Sequence, residues 1–201
     1  MATDRAQVEA AMKAGVLVPM ETPPDRIDPQ LLGIEAYVKP SVGLGLLRDE
    51  IMGPEAFDDA FRTYVARWAF RHPTPADFFR TMEDAGGRRL DWFWREWFLE
   101  NTRFDQAVDT VATRMDGNTQ QVGVAFGNRA RGVLPIRARF TFTDGTTQDF
   151  VYPAEVWATD QRQYVRTYEF PGKRLAKIEL DPENRLVDVD RSNNTYNVAG
   201  R

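Results

Sequence analysis

The chain contains no cysteine and a single histidine, His72. The first absence excludes a disulfide, a thiolate nucleophile and a Cys-ligated metal, and leaves the compartment open. The second leaves the chain short of the three protein ligands that a catalytic zinc requires. It also leaves one residue to act as base in any Ser-His-Asp arrangement. His72 lies directly before Pro73, and no strand–Gly-x-Ser-x-Gly–helix elbow supplies it with a nucleophile. A phosphate-binding glycine loop is missing too, because "VGLGLL" (42–47) lacks a third glycine, follows no strand and fits a helix better. No apolar run approaches the ~20 residues needed to span a bilayer, and "MATDRAQVEAAMKAG" lacks the apolar centre of a signal peptide. Charge of one sign is not concentrated either. The 26 basic and 30 acidic residues are spread along the chain for a net −4, which argues against nucleic acid or an anionic membrane surface as partner.

What is present is ordinary in bulk and legible in pattern. A length of 201 residues suits one large domain or two small ones, and 42% hydrophobic with 28% charged residues matches a soluble globular protein. Residues 4–16 read as a short helix with Val8, Ala11 and Met12 on one side and Gly15 as its stop. "VPMETPPDRIDP" carries four prolines, so it is a linker or an extended segment wrapped on a surface. From Leu31 a helical period begins, with Val42, Leu46 and Leu47 on its apolar side, and it breaks at Gly53-Pro54. Phe57, Phe61, Tyr64, Val65 and Trp68 recur at helical spacing in the next segment, opposite Asp58, Asp59 and Arg62. In "HPTPADFF", Thr74 is placed to cap a helix, Pro75 suits its first position, and Asp77 sits three residues after the cap. The acidic pairs Asp58-Asp59 and Glu83-Asp84 read as solvated helix positions.

"RRLDWFWREWFLE" sets Leu90, Phe93, Trp94, Trp97 and Phe98 at i, i+3, i+4, i+7 and i+8. Rings of this size carry the largest burial energies available, so the stripe is expected to be core and not a ligand platform. Past about residue 117 the period shortens to two. Val122, Val124 and Phe126 alternate with small or polar neighbours, as do Ile136, Ala138, Phe140 and Phe142. Asp144-Gly145 supplies a hairpin turn, and "QYVRTYEF" and "RLAKIEL" read as further strands. The expected fold class is therefore α+β: an N-terminal α-helical segment followed by a C-terminal antiparallel β-sandwich. Residues 1–30 form a helix and proline-rich linker, 31–110 the helical segment and 118–196 the sandwich, with the turn-rich "DGNTQ" at the junction.

The order of these features resembles a known family. "AYVKPSVGLGLLRDEIMGPEAFDDAFRTYVARWAFRHPTPADFFRTMEDAGGRRLDWFWREWFLEN" is similar to the later part of the catalytic domain of peptidase family M1, the zinc aminopeptidases. The strands that follow, with Asn128, Pro135 and the closing "LDPENRLVDVDRSNNTYN", resemble the β-sandwich found after that domain in many bacterial members. The likeness covers most of residues 31–196. It implies that Tyr37, in Tyr37-Val38-Lys39-Pro40, is the tyrosine whose hydroxyl donates to the oxyanion of the tetrahedral intermediate. A phenol suits that task, being a neutral donor at pH 7. Pro40 stands where the family usually has glycine.

The resemblance implies zinc for the full-length parent enzyme, held by His-Glu-x-x-His and a later Glu; this chain has neither, so no cofactor is expected in the chain itself. The implied partners are the missing zinc-bearing half, a peptide substrate in the parent enzyme, and copies of the chain through self-association. On that reading the chain is a C-terminal fragment of an M1-type metallopeptidase that does not hydrolyse alone. The alternative is a non-catalytic peptide- or protein-binding module of the same descent. Were the zinc-bearing helices simply absent, Val42, Leu46 and Leu47 would be expected to face water.

Overall fold

A computed structural model describes residues 2–198. The fold is α+β, and the chain divides into two compact units, residues 3–101 and the residues from Thr102 onward.

The first unit is helical. Helix α1, Ala2–Ala14, buries Val8, Ala11 and Met12 and is followed by Gly15. The proline-rich segment is tied down as an extended strap: Met20 N donates to the Phe98 carbonyl (3.0 Å), and the Asn101 side chain donates to the Leu17 carbonyl. A continuous helical run then passes from a π-helical turn at Ile34–Val38 through α2, Lys39–Leu46, into a second π-helical turn at Leu47–Met52. Gly53, at φ 86°, reverses the chain so that Pro54 can open α3, Pro54–Trp68. Thr74 and Asp77 close a reciprocal capping box on α4, Pro75–Gly86, with Thr74 N donating to Asp77 Oδ2 at 2.8 Å. That bond lowers the Asp77 carboxyl below its ordinary range. The last helix, α5 at Asp91–Trp94, continues as a π-helical turn, Arg95–Leu99.

The aromatic stripe is core. Leu90, Phe93, Trp94 and Trp97 are buried, Trp94 stacks on Phe79 at 4.6 Å between centroids, and Phe78 meets Tyr64 edge-on at 4.9 Å. Each fully buried ring stabilises the unit by about 1.5–3 kcal/mol. Helix α3 is different, for it buries Phe57 and Ala60 but leaves Phe61 and Val65 exposed. The face expected to be open is closed instead: Val42, Leu46 and Leu47 are all buried, because α2 lies in the interior of its own unit, with the Trp97 indole against Gly43.

The second unit is two antiparallel sheets. Strands β1 (Gln106–Asp116), β2 (Thr119–Asn128) and β5 (Gln163–Pro171) form one sheet in the order β1-β2-β5. Strands β3 (Ile136–Phe142), β4 (Thr147–Tyr152), β6 (Leu175–Leu180) and β7 (Thr195–Asn197) form the other, in the order β4-β3-β6-β7. The inward alternation read from the sequence holds, with Val122, Val124, Phe126, Ile136, Ala138, Phe140 and Phe142 all buried. Rings from the two sheets interleave: Phe140 meets Tyr168 at 4.9 Å, and Phe142 meets Phe170 at 4.8 Å. The Tyr152 and Tyr168 hydroxyls hydrogen-bond at 2.6 Å, and burial pushes the Tyr168 phenol well above its usual value.

The strand unit starts earlier than residue 118. "DGNTQ" is the β1–β2 hairpin and not a junction between units. Strand β1 hides its period because Asp109 is an extra residue, bulged between the pairs Val108–Phe126 and Thr110–Ala125. Its outer half is also largely exposed, which removes the apolar alternation that marks β2 and β3.

Candidate functional site

Tyr37 stands on a helix whose two faces differ in kind. The bond from Lys39 N to the Ile34 carbonyl spans five residues, widening the helix just before Pro40. Pro40 has no N–H, and its ring would crowd the carbonyl four residues earlier in a regular helix. The wide turn relieves that crowding, so the chain stays helical through Pro40.

The outward face presents Tyr37, 75% exposed, and its hydroxyl has no hydrogen-bond partner among the described residues. The inward face carries Glu35 and Lys39, only 3% and 2% exposed. These two grip one residue of the strap from both sides. Val18 N donates to Glu35 Oε1 at 2.6 Å, Lys39 Nζ donates to the Val18 carbonyl at 2.8 Å, and Lys39 Nζ lies 3.4 Å from Glu35 Oε2. Burial lowers the Lys39 ammonium pKa from its ordinary value, against the opposing pull of Glu35. Trp97 Nε1 donates to the Lys39 carbonyl at 3.2 Å. A Cβ on Gly43, one turn further on, would overlap the Trp97 indole. Tyr37 therefore sits between two residues locked from behind, on backbone pinned to both the strap and the last helix.

The sequence reading singled out Tyr37 but gave Glu35 and Lys39 no role. Their signal was present as opposite charges at i and i+4 on the apolar side of a helix. Glu83 is likewise more than a solvated position. Its Oε1 accepts from Leu90 N (2.7 Å) and Trp94 Nε1 (3.1 Å), which sets the start of α5. Asp58 holds Arg48 through two bonds of 2.7 and 2.9 Å, which lower its carboxyl pKa. His72 is exposed in the loop between α3 and α4.

Among the described residues there is no group of three or more His, Cys, Asp or Glu side chains that could hold a metal ion. The zinc implied by the M1 resemblance therefore has no fit to these residues. No helix among them is long and apolar enough to cross a membrane. No family model matches the chain, and no curated protein matches it. What Tyr37 offers chemically is one unengaged phenolic donor on a fixed backbone.

Proposed function

We propose that this chain supplies the oxyanion-binding wall of an M1-type metallopeptidase, with Tyr37 as its donor, and that hydrolysis requires a zinc-bearing segment these residues do not contain. The observation that carries the reading is an exposed tyrosine hydroxyl with no partner, on a helix whose opposite face is locked by Glu35, Lys39 and Trp97. Such a donor binds the charge that develops on a peptide carbonyl oxygen by exchanging water, without first breaking a bond within the protein. Because the backbone under it is fixed, little reorganisation is needed when that charge appears.

A complementation assay tests this. The chain is co-expressed with a segment of an M1 aminopeptidase that carries His-Glu-x-x-His and the third zinc ligand but stops before its Tyr-x-Lys element. The purified assembly should hydrolyse an aminoacyl amide, whereas the chain alone should not. Tyr37→Phe should lower kcat about 100- to 1,000-fold, as loss of one oxyanion donor does. Failure to assemble, or equal turnover with phenylalanine, overturns the proposal.

The second reading, a non-catalytic peptide- or protein-binding module, draws on a different observation. Helix α3 leaves Phe61 and Val65 uncovered, and Phe70 just after it is fully exposed at φ 60°. Exposed apolar groups so close together mark surfaces that meet another molecule.

A further inference from the structure

At one end of the three-stranded sheet, the bulge in β1, the end of β2 and the loop entering β5 enclose a polar hollow of about 420 Å³. It is lined by Asp109, Asn128, Arg129, Asp160, Arg162 and Gln163. Several backbone features fix it. Asn128 N donates to the Arg162 carbonyl (2.9 Å), Arg129 N to the Asp105 carbonyl (2.8 Å), and Arg162 N to Asp160 Oδ1 (2.8 Å). The bulge exists at Asp109 itself, and its carboxylate lies over Gly127, the partner of Ala107 in the ladder, where a Cβ would overlap it. An extra residue in one strand and a missing side chain in the other thus seat a carboxylate over the sheet, which is how bulges re-aim side chains at sites.

Asn128 lines this hollow and is 3% exposed. Its Oδ1 accepts from Ala130 N (3.3 Å), while its amide nitrogen is buried with no partner. A buried donor left unmade costs stability, so such a group in a folded chain points to an unfilled bond. The charges lining it balance, two carboxylates against two guanidiniums, and both carboxylates are already engaged within the protein. Arg129 lies 2.7 Å from Asp109 Oδ1, and Asp160 is held by Arg162 N. A net-charged ligand gains nothing from a neutral set, and a zwitterion would have to separate the Arg129–Asp109 pair. A hydroxyl donates and accepts at once, so it can bridge the Asp109 carboxylate and a neighbouring amide or guanidinium without disturbing either.

We propose that this hollow binds a neutral polyhydroxyl ligand the size of a monosaccharide unit, gripped by Asp109, Asn128 and Arg162. The volume lies in the range of small-molecule sites. With a dozen ligand atoms and no aromatic platform among the lining residues, Kd should be of the order of 1 mM. This stands independently of the role given to Tyr37.

The test is an amide NMR titration of the full chain with methyl glucoside, methyl mannoside and N-acetylglucosamine to roughly 50 mM, with glycine and inorganic phosphate as charged counterparts. At least one saccharide should shift the Asp109, Asn128 and Arg129 backbone amides and the Asn128 side-chain amide saturably. Asp109→Ala should weaken that binding tenfold or more while leaving the rest of the spectrum in place. Asp109→Asn serves if the alanine variant loses its dispersed spectrum. No saturable shift with any saccharide overturns the proposal. So does saturation by glycine or phosphate alone, or saccharide binding that the Asp109 variants leave untouched.

Discussion

Of the large apolar side chains among the described residues, Val16, Leu32, Tyr37, Phe61, Val65, Phe70 and Leu99 are exposed in the helical unit, but only Met115, Val151 and Val165 in the strand unit. The two sheets spend their aromatic rings on each other, with Phe140, Phe142, Tyr168 and Phe170 meeting in one interior. The helices have an interior of similar quality around Trp94, Trp97 and Phe93, but α3 keeps half its apolar stripe outside. A sheet pair closes on itself once its inner faces are apolar. A helix with an apolar stripe wider than its contact still has a face to offer. The polar groups divide in a similar way: the helical unit buries the Glu35–Lys39 pair, which fixes a helix, and the strand unit buries aspartates and carboxamides at the ends of its strands.

The comparison can be broken most violently inside the helical unit. Leu46→Asp places a carboxylate in a fully buried position and should destabilise that unit by roughly 3–5 kcal/mol, the cost of lost packing and an unpaired charge. Denaturation followed by tryptophan fluorescence reads this unit well, because four of the five tryptophans (68, 92, 94 and 97) lie in it. Lys39→Met should fall in the same range, about 3–5 kcal/mol, because it strands Glu35 without its buried cation. A loss under 1 kcal/mol in either variant would mean that α2 is not an interior helix. Gly43→Ala should cost about 1–3 kcal/mol by forcing the Trp97 indole away, read as a shift of the Trp97 indole N–H in NMR spectra.

Acid titration sharpens the contrast from the other side. Burial raises the Asp188 carboxyl above its ordinary 3.8, and burial raises Asp105 as well. At these two carboxyls the folded strand unit binds protons more tightly than its unfolded chain. Their contribution to its stability should fall as pH rises from 3.8 to the raised folded value, then level off, against the opposite contribution of Asp144 and Asp149, whose carboxyls are lowered by bonds from Thr146 and Arg139. Asp188→Asn should make that slope shallower, measured by urea denaturation at a series of pH values. The mildest change is Val65→Ser, which should shift stability by about 0.5 kcal/mol or less because the side chain is half exposed on the outside of α3. It should nonetheless reduce binding of a hydrophobic dye; unchanged dye binding would remove α3 as an open face.

How much of this was legible depends on how local the cause is. The α4 start could be read because Thr74, Pro75 and Asp77 cap each other within four residues. The alternation of β2 and β3 could be read because one face of each is wholly interior. Periodicity says which side of a helix is apolar, not what covers it. That is why Val42, Leu46 and Leu47 were expected in water if the zinc-bearing helices were absent, and why the helical spacing of Phe61 and Val65 did not tell that they stay exposed. The Asp109 bulge is a one-residue slip that shows only in the pairing register. For the candidate site, Tyr37 entered through resemblance, whereas its support arises from partners at Val18 and Trp97, 19 residues before it and 60 after it. No local pattern announces contacts at that separation.

The central claim is that Tyr37 is held for a partner outside this chain and does nothing for the fold. It is tested most directly by measuring kcat and KM of the complemented assembly with Tyr37 and with Tyr37→Phe, at matched thermal stability of the two chains. The account predicts unchanged melting, a KM within about threefold, and a kcat lower by 100- to 1,000-fold. A phenylalanine variant that melts early, or one that turns over as fast as the parent, would contradict it.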